Sequence, residues 1–545
     1  METVADVVKH WAVAEPDAEV LTFVNKHGRL CVYTPSRIYT EAGRFASRLL
    51  QFGFSRGDVI ANGIPNSPER LVTDMGIILS GCVTVNCQVF ERDGADFWNT
   101  ANLAGCKGVI VSTRSTDPAF RLFQPLLPQP DQTSGCAEVT THLASGLRKV
   151  VLCSRDDTDN TSLLRSLQSS DEEIFVSQID PDDLAVLFAT SGTSGFCKLV
   201  PRTHAEILRA GRSFKGGKDV KYFSDRPFGW MGGFPFDYLA HCSHRVLQDK
   251  YSGEQALISR DLWTVISREK CTGAAILPLT LLELIEDFKD TKPEFKLPFI
   301  VTGGQSIKKN LSAALGLLTD NIVVSYSSSE VAMVCVGNIT ATDQFNDFYS
   351  GKPSPGIEIL IVDEQGRKLG PNQEGEIYIK SPFMMTNYYP PQPISSIFSP
   401  DGFFKTGDRG LLTEADHLYC YGRAGEVISQ GAVLVYTSWP EGILGKCPDV
   451  SDAIVVNMPD TSGEDRLIAC VVPRPGSGLT KAKLLHFYQS SFMSMPSSSQ
   501  PPTSPSVFCR PEISDILFFE QFPETQTGKV STRDLKSIVR QRLAL

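Results

Sequence analysis

The stretch Leu187-Phe-Ala-Thr-Ser-Gly-Thr-Ser-Gly-Phe-Cys-Lys198 decides how the rest of the chain is read. An apolar run breaks into small hydroxyl residues and glycines and ends on a lysine. Gly192 and Gly195 let the backbone turn its N–H groups toward an anion. Thr190, Ser191, Thr193 and Ser194 add hydroxyl donors, and Lys198 adds a full positive charge. The expected guest is the phosphate tail of ATP. Leu199, Val200 and Pro201 follow the lysine before any helix signal, so this is not the GxxxxGKS/T loop that opens directly into a helix. The next start signal is Thr203-His-Ala-Glu206, a capping box, and the loop is therefore expected between two strands.

Composition bounds the rest. With 545 residues, 41% of them hydrophobic, the chain can bury a large core and is expected to form more than one domain. A formal net charge of −10 disfavours an extended nucleic-acid surface, which needs a basic stripe. The opening Met-Glu-Thr-Val carries an acid where a secretory signal would be basic, and no apolar run reaches membrane-span length. Fourteen cysteines without a CxxC pair suit reduced thiols, and the chain does not end on Ser-Lys-Leu, so a cytoplasmic location is the expectation. His241-Cys-Ser-His244 lacks the second ligand pair a structural metal site needs.

Strand-like and helical patterns alternate, as in α/β architecture. Asp58-Val-Ile-Ala-Asn-Gly63 and Gly108-Val-Ile-Val-Ser112 read as buried strands. Between them Ser67 caps an amphipathic helix with Pro68 at its first position. Phe299 to Gly304 reads as a strand ending in paired glycines, then a helix from Lys308 toward Leu318, then the strand Ile322 to Tyr326. From Gly356 to Lys380 short alternating strands around the turn Asp363-Glu-Gln-Gly366 predict a β subdomain. Tyr419 to Gly425 reads as a hinge, and Met495 to Pro505, rich in proline and serine, as a surface insertion.

Seven short motifs then follow in order: Thr190 to Lys198, Gly303-Gly304, Tyr326-Ser-Ser-Ser-Glu330, Lys405-Thr-Gly-Asp408, Gly422-Arg423, Gly431 and Pro523-Glu-Thr-Gln-Thr-Gly-Lys529. In this order they resemble the adenylate-forming superfamily of acyl-CoA synthetases, peptide-synthetase adenylation domains and luciferases, over nearly the whole chain. The resemblance implies a large N-terminal domain of mixed α/β sheets with a β subdomain over residues 1–421, and a small mobile α+β domain over 422–545. It implies ATP, Mg²⁺ and coenzyme A as the groups handled.

Residue roles are carried over from the resemblance position by position. Lys198 would steady the β- and γ-phosphates beside Ser191, Gly192, Thr193, Ser194 and Gly195, and Glu330 would help hold Mg²⁺. Ser329 would meet the α-phosphate where the family usually has threonine. Tyr326 would stack on adenine over Gly303 and Gly304, Asp408 would accept from the ribose hydroxyls, and Arg423 would support ribose and phosphate. Lys529 would bridge the substrate carboxylate and the α-phosphate as charge develops. Trp230 and Gly233, in a passage resembling that of fatty-acyl and acetyl-CoA synthetases, would line the acyl pocket. Asp237 would join them, its Phe236-Asp237 pair inviting comparison with the amine-holding Phe-Asp of peptide-synthetase domains.

Four positions depart from the family pattern. Gly425 stands where the hinge usually carries Asp or Lys, Ser429 replaces a lysine found in some members, and Cys197 and Leu199 replace a proline and a glycine. The expected reaction is activation of a small-molecule carboxylic acid by ATP, followed by thioester formation with coenzyme A. A freestanding enzyme that hands the acyl or aminoacyl group to a separate carrier protein is the alternative, and a non-catalytic nucleotide-binding descendant is a third.

Overall fold

Two large sheets, a two-stranded hairpin and a small three-stranded sheet organise the chain. The computed structural model describes residues 2–25, 27–87, 95–113, 117–127, 135–154, 163–171, 173–190, 198–213, 216–250, 259–304, 307–342, 346–423, 427–430, 433–459, 465–493, 512–524 and 530–543. Ser191 to Cys197, Gly425, Gly431, the 495–505 segment and Lys529 lie outside these residues.

The first sheet has seven strands. Val59–Asn62, Val83–Asn86 and Gly108–Ser112 pair in parallel and are buried along their whole length, as strands covered on both faces must be. Val83–Asn86 also pairs with Leu184–Ala189, which turns back antiparallel onto Leu199–Thr203 at the sheet's edge. The edge position explains Pro201, whose missing N–H would break a central ladder. The glycine-rich loop thus connects two adjacent strands, as its flanking sequence predicts, and the capping box at Thr203 and Glu206 opens the helix His204–Arg212.

The second sheet has thirteen strands. Its parallel part runs through His244–Gln248, Lys221–Ser224, Gly273–Ala275, Ile300–Gly303 and Ile322–Ser328. Ala332–Ile339 and Tyr349–Pro353 then add antiparallel strands. Tyr349–Pro353 also pairs with Leu418–Arg423, which leads through Phe404–Leu412 and Gly375–Lys380 to Glu358–Val362. The β subdomain is therefore a continuation of the central sheet. Its expected turn forms, Gly366 donating to the Asp363 carbonyl at 2.9 Å.

Two elements differ from expectation. The helix Pro68–Leu79 begins at the Ser67 cap, but every one of its residues is buried, so it is not amphipathic toward solvent. It packs between the helices Val4–Ala14 and Pro35–Gln51 and the strands Val59–Asn62 and Val83–Asn86. Its polar positions are satisfied internally: Arg70 pairs with Asp74 and donates to the Asn62 and Ile64 carbonyls, and Thr84 donates to Asp74. The helix expected from Lys308 is instead a 3-10 segment, Lys309–Ala314, which ends at extended Leu315 before Gly316 at φ 73°.

The C-terminal domain carries the sheet Val450–Pro459, Asp465–Pro473, Ile513–Phe518. Alternation along its strands gives it two cores. Val455, Leu467 and Ala469 pack with Leu484 and Tyr488 of the helix Lys481–Met493, while Val456, Met458 and Ile468 pack with Leu535 and Val539 of the helix Thr532–Leu543. This domain meets the larger one at Lys308, whose Nζ would stand 3.1 Å from a Cβ built on Gly442, and at Arg474, 3.7 Å from Glu286.

Candidate active site

The paired glycines close the parallel strand Ile300–Gly303 where it faces the end of Ile322–Ser328. A Cβ on Gly303 would come within 2.1 Å of the Ser325 carbonyl oxygen, so no side chain fits there, and Gly304 turns with φ 81°. Just beyond, the register of the next strand shifts between Tyr326 and Ser327. The break re-aims Tyr326. Its hydroxyl donates to Asp408 Oδ2 at 2.5 Å, and Arg423 Nε meets Asp408 Oδ1 at 3.0 Å. Asp408 and Arg423 are cross-strand partners, which explains how a Thr-Gly-Asp turn and a distant Gly-Arg pair reach one point. Arg423 also donates to the Thr406 carbonyl. Burial, then the Asp408 charge, push the Tyr326 phenol well above its ordinary range and keep it a donor. Burial pulls on the Arg423 guanidinium in the opposite sense, but Asp408, Tyr326 and Glu330 outweigh it and raise it.

A second cluster gathers around Glu330, whose charge acts on Arg423. Thr190 N–H donates to the Lys198 carbonyl at 2.8 Å, clasping the ends of the glycine-rich loop. The Lys198 ammonium lies 4.7 Å from the centroid of the Tyr388 ring, and the Tyr388 hydroxyl donates to Glu330 Oε1 at 3.0 Å. Tyr388 and Glu330 are both buried. Arg202 donates to the carbonyls of Ser329, at 2.6 Å, and Glu330, at 3.2 Å, and Met385 N–H donates to Glu330 at 2.7 Å. The backbone of Ser329 and Glu330 is thereby held from two sides.

A third segment brings the acyl-pocket candidates to the glycine pair. Arg226 donates to the Gly303 carbonyl at 3.0 Å, and Asn66 holds the Arg226 carbonyl and the Phe228 N–H. The chain then turns tightly: Gly233 N–H donates to Trp230 at 3.0 Å, and a Cβ on Gly233 would overlap the Pro227 carbonyl. Arg245 donates to the carbonyls of Gly233 and Phe234 and pairs with Asp237. The Asp237 carboxylate thus faces a buried guanidinium in the interior. His244 meets Thr22 Oγ1 at 2.7 Å, and no group of three metal-binding side chains occurs among the described residues.

Lys529 lies outside the described residues, but its flanks are placed. Glu524 and Val530 form an antiparallel bridge, and Ser531 N–H donates to Pro523 at 2.7 Å. Burial raises the Glu524 carboxyl, and the Lys250 ammonium opposes it. Lys250 in turn donates its N–H to Asn66, the residue that anchors Arg226.

Three residues of this cleft carried no motif. Tyr388 sits in Asn387-Tyr-Tyr-Pro390, which reads as an ordinary loop; Arg226 reads as a spacer inside the Trp230 passage. Arg202 had a signal: a charge in the apolar run Leu199-Val-Pro-Arg-Thr203 that is fully buried in the fold.

The fold is mixed α/β, a large N-terminal domain followed by a C-terminal domain with a small sheet of its own. The chain belongs to the AMP-binding enzyme family, whose model matches residues 8–389, and so to the adenylate-forming superfamily. It is 26% identical over 518 residues to the pyochelin synthase PchD of Pseudomonas aeruginosa strain UCBPP-PA14, covering 92% of this chain and 86% of that one. It is 26% identical over 560 residues to a medium-chain fatty-acid–CoA ligase of Escherichia coli strain K12, covering 99% and 91%. In fold it matches the anthranilate CoA ligase AuaEII, solved with anthranoyl-AMP, at a TM-score of 0.77 and 17% identity over 100% of this chain and 98% of that one. Among the described residues no helix is long and apolar enough to cross a membrane.

Proposed function

We propose that this chain is an AMP-forming acid–thiol ligase: a carboxylate oxygen attacks the α-phosphorus of ATP, the bond to the β-phosphate oxygen breaks, and pyrophosphate leaves. The thiol of coenzyme A then attacks the acyl carbon and AMP departs. The observation that carries the reading is the convergence of Tyr326, Asp408 and Glu330 on the Arg423 guanidinium, with Lys198 set beside Glu330 across the Tyr388 ring. Tyr326 and the bare Gly303–Gly304 backbone would receive adenine, Asp408 the ribose, and Lys198 with the loop the phosphates. Lys529, in the segment that follows Glu524, would neutralise charge as the α-phosphate is attacked.

The donor set fits Mg²⁺. Glu330 offers one buried carboxylate whose Oε2 has no hydrogen bond among the described residues, and a hard cation that keeps its waters and shares phosphate oxygens asks for little more. When bound, Mg²⁺ would supply charge neutralisation on the phosphates. Trp230 and the turn at Gly233 would bound the acyl pocket, while Asp237, committed to Arg245, would serve to hold that turn. We assign residues from about 424 onward to the mobile domain, with Gly425 as its pivot, because Gly422 and Arg423 still pair within the large sheet.

The test is acid-dependent exchange of pyrophosphate into ATP across a panel of aromatic and medium-chain acids, the classes named by the relatives, followed by coenzyme A. Exchange that coenzyme A converts to thioester supports the ligase; no exchange with any acid sinks it. A second reading, transfer to a separate carrier protein, is favoured by the likeness to a pyochelin synthase. Adenylate that forms but does not react with coenzyme A would select it.

A further inference from the structure

The strap from Met385 to Tyr389 runs between the strand leaving the glycine-rich loop and the Glu330 segment. It is tied to both: Tyr389 N–H donates to the Leu199 carbonyl at 2.9 Å, and Met385 N–H to the Glu330 carbonyl at 2.7 Å. Tyr388 points from this strap into the gap between two opposite charges. Its ring face meets the Lys198 ammonium at 4.7 Å, and its hydroxyl meets Glu330 Oε1 at 3.0 Å. An aromatic face attracts a cation without neutralising it. A phenol can donate only one proton, and here it goes to Oε1.

Resting on the functional reading above, the geometry points to Tyr388 as a positioning residue that keeps Lys198 and Glu330 apart and presents each to a different part of the nucleotide complex. Removing the ring opens a path for the ammonium and the carboxylate to pair directly. In a partly buried cleft such a pair is strong, and it would withdraw the cation from phosphate and the carboxylate from Mg²⁺ at once. Removing only the hydroxyl leaves the spacer in place. The carboxylate then loses its fixed orientation, and the metal alone feels the change.

The two functions separate in binding experiments that need no turnover. Binding of α,β-methylene-ATP is measured by calorimetry without metal, and Mn²⁺ binding to the analogue complex by electron paramagnetic resonance. Tyr388→Phe is expected to weaken Mn²⁺ about tenfold, the usual worth of a hydrogen bond to a charged group, with metal-free analogue affinity held within about twofold. Tyr388→Leu is expected to lower metal-free affinity about tenfold, and adding Glu330→Gln to restore it to within about threefold of wild type, because the competing carboxylate is gone. Unchanged Mn²⁺ affinity in Tyr388→Phe, or no recovery in the double variant, overturns the inference. Should Tyr388→Leu fail to fold, the near-isosteric Phe variant decides alone. Wild-type protein that binds no analogue would instead overturn the functional reading beneath it.

Discussion

At the scale of single residues, polar side chains are matched to partners that set their charge. Asp408 is the clearest case, because Tyr326 and Arg423 each take one of its oxygens. Asp408→Ala removes the acceptor and leaves a half-buried guanidinium and phenol to find others. Calorimetry should show ATP affinity falling at least about tenfold, with a melting-temperature loss equivalent to about 1–3 kcal/mol. Lys529→Ala should behave oppositely: single-turnover adenylate formation falls by about a hundredfold or more while ATP affinity is nearly kept, since the role proposed for it lies in the transition state. A variant that adenylates at the wild-type rate would show the lysine to be misassigned. Acid sensitivity also has residue-level sources. Burial, before any charge, lowers His204 and His244 to about 4, against 6.5 when unfolded. Both are held neutral, so their unfolded forms bind more protons below pH 6.5, and stability drops from there until it levels off near pH 4. Glu269 works from the acid side. Burial raises it, but hydrogen bonds from Arg29 and Lys221 outweigh that and bring it down to about 2, so its contribution is whole above pH 4.5 and fades as pH falls toward 2. Urea titrations at pH 7.5 and 5.5 should show the first loss, and His204→Asn should shrink it to the part that His244 supplies.

At the scale of elements, what was legible in the sequence was what local patterning controls. The Ser67 cap, the Thr203 capping box and the strands around Ile60, Ile110 and Val324 follow from side-chain spacing and turn chemistry, and all of them form. The surroundings of an element are not local. Pro68–Leu79 carries enough polar residues to read as half-exposed, yet its Arg70, Thr73 and Asp74 are satisfied by Asn62 and Thr84 from neighbouring strands. The same limit hid Tyr388, Arg202 and Arg226, whose partners lie far away in sequence, whereas Gly303 and Asp408 stood in recognisable company. Gly303→Ala tests one element boundary directly. A methyl 2.1 Å from the Ser325 carbonyl must push two paired strands apart, so a loss of about 2–4 kcal/mol is expected in denaturant titrations. Stability within about 0.5 kcal/mol of wild type would show that the strand ends yield freely.

At the scale of the whole molecule, the C-terminal domain has its own sheet and two cores, and touches the larger domain through charged and polar contacts such as Lys308 beside Gly442 and Arg474 with Glu286. An interface of that character favours relative motion. A fragment ending after Arg423 should keep both large sheets and bind ATP within about tenfold of the full chain while forming no adenylate, since it retains the Asp408 and Lys198 clusters and lacks Lys529. Loss of ATP binding in a folded fragment would mean that the nucleotide is held mainly from the C-terminal side.

The thirteen-stranded sheet is joined at Tyr349–Pro353, with Tyr326 on the parallel side and Asp408 and Arg423 on the antiparallel side. Any shear across that seam changes the reach from the tyrosine hydroxyl to the carboxylate. Adenosine bound there would act as a strain gauge, its residence time registering how tightly the two halves of the sheet are sprung together.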